Sequence, residues 1–288
     1  WIMSYTNGLD DPTQFFNTKL YTGNGSTQTL TGIGFNADLI WLKNRTDSST
    51  SHVLTDSVRT HAKYLKSNAI DSEGTYPFVT NRGSDGYDVA SHSWSGASGK
   101  NYVAWNWLAG GSASSNSNGS ITSSVSASTD AGFSIVSYTG TGSSATVGHG
   151  LGSVPKMVIT RNRDTATNWC VYSSEVGNTK ALFLNLNNAS DTATQYWNDT
   201  TPTSSVFSVG TNTGTNKSGD GFVAYCFADV KGYSKFGSYT GNGSSDGSYI
   251  HLGFSPAWVM IKNTEGTDNW NIYDNKRLGY NTNYSFLI

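Results

Sequence analysis

Three pairs of carboxylates have the residue types for acid–base chemistry: Asp10 with Asp11, Asp71 with Glu73, and Asp85 with Asp88. A glycosidase needs two such acids about 5–10 Å apart, one as proton donor and one as base or nucleophile. None of these pairs recurs in the internal repeats described below, and all lie in polar, turn-like sequence. We therefore expect no catalytic residues, and we predict that the chain is not an enzyme.

The sequence likewise gives no support for a metal site or a catalytic nucleophile. The five histidines are scattered and show no His-x-x-x-His spacing, so no zinc site is expected. Residues 216–220 have oxygen ligands suitable for Ca²⁺, but turn formation explains this loop better. No cofactor is predicted, and Ca²⁺ is the one candidate ion. We interpret Cys170 and Cys226 as free, partly buried thiols, because two cysteines do not make a disulfide framework.

Two tryptophans, Trp94 and Trp197, lie in Ser- and Asn-rich sequence that the repeats do not share. Exposed aromatic side chains on the loops of a rigid scaffold can stack on sugar rings. Both are therefore candidate glycan contacts. The alternative is that each covers a local core.

The elements that would position these loops belong to an internal repeat. Tyr-Thr-Gly-x-Gly-Ser occurs at 21–26, 138–143 and 239–244, and Lys/Arg-Asn recurs downstream at 43–44, 161–162 and 262–263. A phosphate loop would need a following helix and a Walker lysine, whereas a strand pattern follows here. Because the motifs recur in every copy, we interpret them as scaffold.

The repeat predicts the domain organisation. We expect an N-terminal extension at 1–14, module 1 at 15–110, a Gly/Ser linker at 111–131 and module 2 at 132–231. Module 3, at 232–288, should be truncated, because the copy stops before the aromatic closing strands found near 102–107 and 222–227. The linker composition is typical of a flexible or loosely packed connector.

Composition favours strands throughout. Charged residues make up 13% of the chain and aromatic residues another 13%, with 32 glycines. Continuous apolar runs at 39–42 and 157–159 predict central strands, and Asn24-Gly25 predicts a tight hairpin. No window supports a convincing helix. We predict an all-β fold of tandem β-sandwich modules, jelly-roll or concanavalin-like, without nucleic-acid binding or membrane spans.

The chain resembles an uncharacterised Gly-rich repeat of tail-fibre-like proteins from marine bacteriophages. The resemblance rests on Thr-Asp-Ala-Gly-Phe-Ser-Ile-Val-Ser-Tyr-Thr-Gly-Thr-Gly (129–142) and Gly-His-Gly-Leu-Gly-Ser-Val-Pro-Lys (148–156), with Gly-Tyr-Ser-Lys-Phe-Gly-Ser-Tyr-Thr-Gly-Asn-Gly (232–243).

This resemblance implies a structural virion appendage that works outside the cell and contributes to host-surface recognition. The expected partners are copies of itself, as a homotrimer, or other virion proteins, and a host glycan. A secreted carbohydrate-binding adhesin is the alternative. A polysaccharide depolymerase is the third possibility.

Overall fold

The computed structural model describes residue 9 and residues 11–277. It is built almost wholly of antiparallel strands, so the predicted all-β class is confirmed. Among these described residues helix is limited to single turns, α1 (Thr194–Trp197), α2 (Thr213–Asn216) and a 3₁₀ turn at Pro12–Gln14. Most of the predicted extension (1–14) and residues 278–288 of module 3 lie outside the described residues. The finer assignment to a jelly-roll or concanavalin type stays a prediction.

Unit 1 (residues 15–110) forms a four-stranded sheet of order β1-β9-β3-β4, a three-stranded sheet of order β2-β8-β7, and the short pair β5-β6. Its strands are β1 (Phe16–Thr22), β2 (Gln28–Thr31), β3 (Leu39–Asn44), β4 (Val53–Asp56), β5 (Lys63–Tyr64), β6 (Gly74–Thr75), β7 (Val79–Gly83), β8 (Gly86–Val89) and β9 (Asn101–Trp107).

Unit 2 (residues 111–231) repeats this plan with an eight-stranded sheet, β10-β11-β12-β19-β14-β15-β16-β17, and the pair β13-β18. Its strands are β10 (Ser114–Asn116), β11 (Ser123–Ser128), β12 (Phe133–Thr139), β13 (Ala145–Gly148), β14 (Met157–Asn162), β15 (Cys170–Ser173), β16 (Lys180–Phe183), β17 (Asp191–Thr192), β18 (Val206–Val209) and β19 (Gly221–Phe227). Unit 3 (from residue 232) contributes the pair β20 (Trp258–Ile261) and β21 (Asn271–Asp274).

The segment at 111–131, predicted to be a flexible or loosely packed linker, is instead part of a sheet. It contains β10 and β11, which extend the eight-stranded sheet by pairing with β12. Ser and Gly composition alone suggested flexibility, but Val125 is buried and the backbone groups of β11 are paired with those of β12. Paired backbone groups and a buried side chain hold this polar segment in place.

The predicted Asn24-Gly25 hairpin is wrong. Gly25 has the positive φ (79°) that the pair suggested, but the strands on either side pair elsewhere, β1 with β9 and β2 with β8. The turn passes the chain from one sheet to the other. Its own backbone bonds reach the loop before β9, where the Gly25 N–H donates to the Gly96 carbonyl at 3.0 Å.

The large sheets of units 1 and 2 are apolar on both faces, as the continuous runs in β3 and β14 predicted. In unit 1 one face packs on the three-stranded sheet, around Ile40, Leu42 and Tyr87. The other face joins a core shared by all three units. This shared core includes Trp41, Trp105, Ile135, Ile159, Tyr225, Trp270 and Ile272. The three units therefore pack against one another through this shared core.

Contacts between the units join equivalent residues in cyclic order. The Tyr225 hydroxyl in β19 donates to Asp56 of unit 1 at 2.8 Å. At the equivalent place in β9, the indole N–H of Trp105 donates to Asp274 of unit 3 at 3.0 Å. The contacts run from unit 2 to unit 1 and from unit 1 to unit 3.

A second set of equivalent contacts follows the same direction. The indole of Trp169 in unit 2 donates to the Lys66 carbonyl of unit 1, and the indole of Trp270 in unit 3 donates to the Phe183 carbonyl of unit 2, both at 2.8 Å. Together the two sets link unit 2 to 1, unit 3 to 2 and unit 1 to 3. The three units close a ring around the shared core.

A buried charge network lies at the contact between units 1 and 2. Arg59 Nε lies 2.6 Å from Asp56, and Arg59 Nη1 lies 3.0 Å from Glu73. Glu73 also pairs with Arg163 of unit 2 at 2.9 Å. Burial by itself would raise the pKa of Asp56, but the charge of Arg59 and hydrogen bonds from Arg59 and Tyr225 hold that pKa below its ordinary value. The carboxylate is therefore ionised and paired.

We expect Arg59→Met to lower the free energy of unfolding by about 3–5 kcal/mol, because it leaves Asp56 and Glu73 in the interface without this partner. Urea unfolding measures the change. Lys235→Met is the control, because its ion pair with Asp229 is open to solvent and such surface pairs contribute little to stability. Equal losses in the two variants would contradict a special role for the buried network.

His61 gives a second stability prediction. Its pKa is lowered to about 3, because burial disfavours the imidazolium and Arg82 repels it. The pKa of a histidine in the unfolded chain is about 6.5, so between these two pKa values the unfolded chain binds the extra proton. The His61 contribution is therefore complete above the unfolded value and falls with decreasing pH, at up to about 1.4 kcal/mol per pH unit.

Urea unfolding of His61→Gln at pH 7, 6 and 5 should show a weaker loss of stability on acidification than the wild-type chain. The same substitution at His251, which is exposed, should leave the wild-type pH dependence in place. An unchanged slope in the His61 variant would show that other groups cause the acid destabilisation.

Candidate functional site

The best candidate site is an aromatic cluster on unit 1, formed where β5 meets the segments before β7 and β9. Phe78 is its buried centre, and partly exposed rings surround it. Ring centroids of neighbouring members lie 4.6–5.9 Å apart in tilted, edge-on or stacked contact. The aromatic cluster consists of Tyr64, Tyr76, Phe78, His92 and Trp94.

Trp94 is a partly exposed member of the cluster. Its ring stacks on Phe78 at 5.8 Å with an interplanar angle of 24°. The ammonium of Lys66 lies 5.1 Å from the Trp94 ring centroid and also 3.1 Å from an Asp71 carboxylate oxygen. An aromatic face beside a charged donor and a charged acceptor can pack on the C–H face of a sugar while binding its hydroxyl groups.

His92 adds a polar group to the same surface. Burial lowers its pKa, so the ring is neutral at neutral pH. Its Nδ1 accepts a hydrogen bond from the backbone N–H of Trp94 at 3.1 Å, which places the remaining proton on Nε2. The imidazole can therefore donate one hydrogen bond from Nε2.

The loop that carries His92 and Trp94 is held in place by buried polar side chains of the neighbouring strands. The carbonyl of Ser93 accepts from the Asn44 amide at 2.9 Å and from the Tyr102 hydroxyl at 3.0 Å. The Tyr21 hydroxyl donates to the Ser95 carbonyl at 2.7 Å. The site therefore rests on strands β1, β3 and β9, which is the arrangement that a preformed binding surface needs.

The recurring motifs provide this support, as their interpretation as scaffold predicted. Tyr138 in unit 2 repeats the role of Tyr21, donating to the Thr215 carbonyl at 2.6 Å. The glycine of the motif allows close approach: a Cβ on Gly23 would lie 2.4 Å from the Ala97 carbonyl oxygen. The recurring asparagines bind the turns that follow them, since Asn162 Oδ1 accepts from the Asp164 and Thr165 N–H groups at 2.9 Å.

Trp197, the second candidate glycan contact, lies in the core of unit 2 and is not available for stacking on a ligand. Its side chain is 2% exposed, and its indole N–H donates to the Lys180 carbonyl at 3.0 Å. It packs in the core of unit 2 because α1 turns it inward, where it meets Tyr172 edge-on at 5.9 Å. Trp197 therefore covers a local core, which was the alternative interpretation of this residue.

Of the carboxylates considered for catalysis, those that the structure describes have structural partners. Asp85 accepts from the backbone N–H groups of Gly32 and Gly34, and Asp88 accepts from Thr29 and Asn81. Asp11 binds the turn at Thr13. Asp10 lies outside the described residues. Asp71 and Glu73 take part in the ion pairs given above.

The candidate Ca²⁺ loop at 216–220 has its oxygen ligands in use by the protein. The Asp220 carboxylate accepts from Asn162 and Thr165 and pairs with Lys217. Within the described part of the chain, no group of three or more His, Cys, Asp or Glu side chains could hold a metal ion. Cys170 and Cys226 are free, as expected, but fully buried where partial burial was predicted, and this burial raises the pKa of each thiol to about 12.

The sequence indicated Trp94 but missed Tyr64, Tyr76 and His92. A signal was present in the repeat: the offset of 120 that aligns β9 with β19 places Gly214 opposite Trp94 and Asn212 opposite His92. Unit 2 uses those positions for the capped turn α2. The aromatic cluster is therefore a property of unit 1, where the copies differ.

A match to one protein family extends from residue 11 to residue 287. The chain belongs to this family, which is described as a domain of unknown function (DUF7483). The match covers all three units as one region, in agreement with their shared core. No curated protein and no solved structure matches the chain. Among the described residues, no helix is long and apolar enough to cross a membrane.

We expect Asn44→Ala to loosen the loop that carries Trp94, because the Ser93 carbonyl loses a donor and the turn after β3 loses its acceptor. Hydrogen exchange followed by mass spectrometry should show faster exchange in peptides covering residues 92–97. Asn263→Ala, at the equivalent exposed position of unit 3, should leave those peptides unchanged. Faster exchange over the whole chain would instead indicate global destabilisation.

Proposed function

We propose that this chain is a non-catalytic structural and binding protein of a tail-fibre-like virion appendage, and that it contacts host-surface glycans through the aromatic cluster of unit 1. The appendage assignment rests on the sequence resemblance to tail-fibre-like repeats. Working as a homotrimer or with other virion proteins belongs to the same proposal. The binding assignment rests on the cluster itself.

The observation that carries the proposal is the partly exposed Trp94 side chain beside Lys66 and Asp71. A sugar ring needs an apolar platform for its C–H groups and polar groups at its edge for its hydroxyls. Preorganisation adds to this support, because the loop is fixed by buried side chains and loses little conformational entropy on binding. The carboxylates whose contacts are described are held in ion pairs or hydrogen bonds, which favours a role in glycan binding over one in glycan hydrolysis.

Glycan binding is tested by screening the chain against a panel of bacterial surface polysaccharides and titrating the best binder by calorimetry. We expect Trp94→Ala to weaken binding at least tenfold, since loss of a stacked ring costs about 1–3 kcal/mol by analogy with base stacking on aromatic side chains. Tyr249→Ala is the matched control, because Tyr249 is 89% exposed and lies outside the cluster. Equal affinity of the Trp94 variant and the wild-type chain would exclude the cluster as the site.

Release of reducing sugar from the bound polysaccharide would overturn the non-catalytic part of the proposal. The appendage part is tested separately, by searching for peptides of this chain in purified phage particles from its source. Its occurrence only as a cell-secreted protein would support the adhesin instead.

A further inference from the structure

His92 holds the turn that carries Trp94 through both its side chain and its backbone. The side-chain Nδ1 accepts a hydrogen bond from the backbone N–H of Trp94 at 3.1 Å. The carbonyl oxygen of the same residue accepts from the backbone N–H groups of Ser95, Gly96 and Ala97 at 3.0, 2.7 and 3.0 Å. The position of the indole therefore depends on one nitrogen atom of His92 that must remain an acceptor.

The equivalent turn of unit 2 is built in the same way with an asparagine. At the offset of 120, Asn212 aligns with His92 and Gly214 aligns with Trp94. Asn212 Oδ1 accepts from the Gly214 N–H at 2.7 Å, and the Asn212 carbonyl accepts from the Asn216 N–H at 2.8 Å. An amide oxygen accepts hydrogen bonds at any pH, whereas a histidine nitrogen accepts only while it is unprotonated. The two units therefore share the turn and differ in whether its side-chain acceptor titrates.

Protonation of His92 removes the acceptor for Trp94. An imidazolium carries an N–H group on both ring nitrogens, so the Nδ1–H and the Trp94 N–H would face each other as two donors. The Ser93 hydroxyl could accept the new proton, but at 3.5 Å from Nδ1 it is a poor replacement. Either the ring leaves the turn, or the Trp94 N–H loses its partner.

The rings packed around His92 disfavour its charged form as well. The ring centroids of Tyr76, Phe78 and Trp94 lie 4.9–5.0 Å from that of His92. This burial lowers the pKa of His92, because an imidazolium loses hydration among apolar groups. A solvated imidazolium outside the cluster is thus favoured over one that stays within it.

The charged groups of the neighbouring elements do not compensate for an imidazolium in the cluster. The ammonium of Lys66, which follows β5, lies 5.1 Å from the Trp94 ring centroid, so a second cation would adjoin the same indole. The Asp71 carboxylate is already paired with Lys66 at 3.1 Å. The remaining titratable groups are phenols, since Tyr64 of β5 meets the Trp94 ring edge-on and the Tyr102 hydroxyl of β9 donates to a carbonyl of the loop.

We propose that His92 makes the glycan site acid-sensitive: a proton from solvent on Nδ1 breaks the bond to the Trp94 N–H and loosens the loop, so that the aromatic cluster binds glycan at neutral pH and releases it in acid. Histidine is the side chain whose charge ordinarily changes over this range of pH. The release of glycan rests on the proposed function above, whereas the loosening of the loop does not.

The direction of the effect follows from the two forms of the loop. In the open loop the His92 ring is solvated, and its pKa returns to about 6.5, above the pKa that it has in the closed loop. The open form therefore binds the proton more tightly. Between the two pKa values, the ratio of open to closed loops rises by up to about tenfold for each unit by which the pH falls.

Hydrogen exchange of the 288-residue chain at pH 7 and pH 5 measures this opening without any ligand. Peptides covering residues 94–97 report on the loop, and peptides covering 214–217 report on the equivalent turn of unit 2 in the same molecule. Rates are divided by those of the unfolded chain at the same pH, which removes the intrinsic effect of pH on exchange. We expect acidification to speed exchange at 94–97 at least about threefold and to leave 214–217 unchanged.

Two substitutions separate the acceptor from the ring. His92→Asn introduces the residue of unit 2, which accepts from Trp94 and does not titrate, so its loop should not loosen in acid. His92→Phe keeps an aromatic ring but has no acceptor, so its loop should exchange at both pH values as fast as the wild-type loop does at pH 5. Circular dichroism shows whether each variant is folded.

Two results would overturn the acid-sensitive loop. One is wild-type exchange at 94–97 that does not change between pH 7 and pH 5 relative to 214–217, a comparison that needs no variant. The other is a folded His92→Asn chain whose loop loosens in acid as much as the wild-type loop.

Release of glycan is tested by calorimetry with the best-binding polysaccharide at pH 7 and pH 5. We expect the wild-type Kd to rise at least about threefold at pH 5 and the Kd of folded His92→Asn to rise less, each chain being compared with its own value at pH 7. A wild-type Kd that stays constant while the loop loosens would overturn the release of glycan. Failure to bind any polysaccharide at pH 7 would instead contradict the proposed function, and the exchange experiment would still decide whether the loop is acid-sensitive.

Discussion

The large sheets of this chain have two apolar faces, and both must be removed from water for the fold to be stable. In unit 1 the three-stranded sheet covers one face, but a single unit has nothing to cover the other. Burying apolar side chains is the dominant favourable contribution to folding. The second faces therefore pack on one another, and the shared core of all three units follows from this constraint. A single repeat would expose a broad surface that includes Trp41 and Trp105.

Apolar packing alone does not fix how three similar sheets are arranged. Directional contacts at the rim of the shared core supply the order, since Tyr225 meets the Asp56–Arg59 pair and Trp105 meets the Asp274–Arg277 pair. These buried polar groups have few alternative partners, so a different order would leave charges unpaired at a considerable free-energy cost. In unit 2 the positions equivalent to these Asp–Arg pairs are Ser173 and Val176. The third contact therefore lacks such a pair, which distinguishes the place of each unit in the ring.

The repeat separates support from recognition. Residues that recur, such as Tyr21 with Tyr138 and Asn44 with Asn162, hold loops through buried hydrogen bonds to carbonyl groups. The loops themselves differ between copies, and the aromatic cluster arises in one of them. A rigid, repeated support with variable tips is the usual way in which β scaffolds acquire binding surfaces without changing their cores.

The sequence by itself determined the strand-rich class, the presence of the repeat, the doubly buried central strands and the scaffold role of the recurring motifs. These features depend on local composition and on a period of two, both of which are visible along the chain. Only the tertiary structure decided that 111–131 joins a sheet, that Trp197 is buried while Trp94 is partly exposed, and that the units share one core. The physical reason is that burial depends on residues far apart in sequence: Trp94 and Trp197 lie in similar polar sequence, and only their distant packing partners distinguish them.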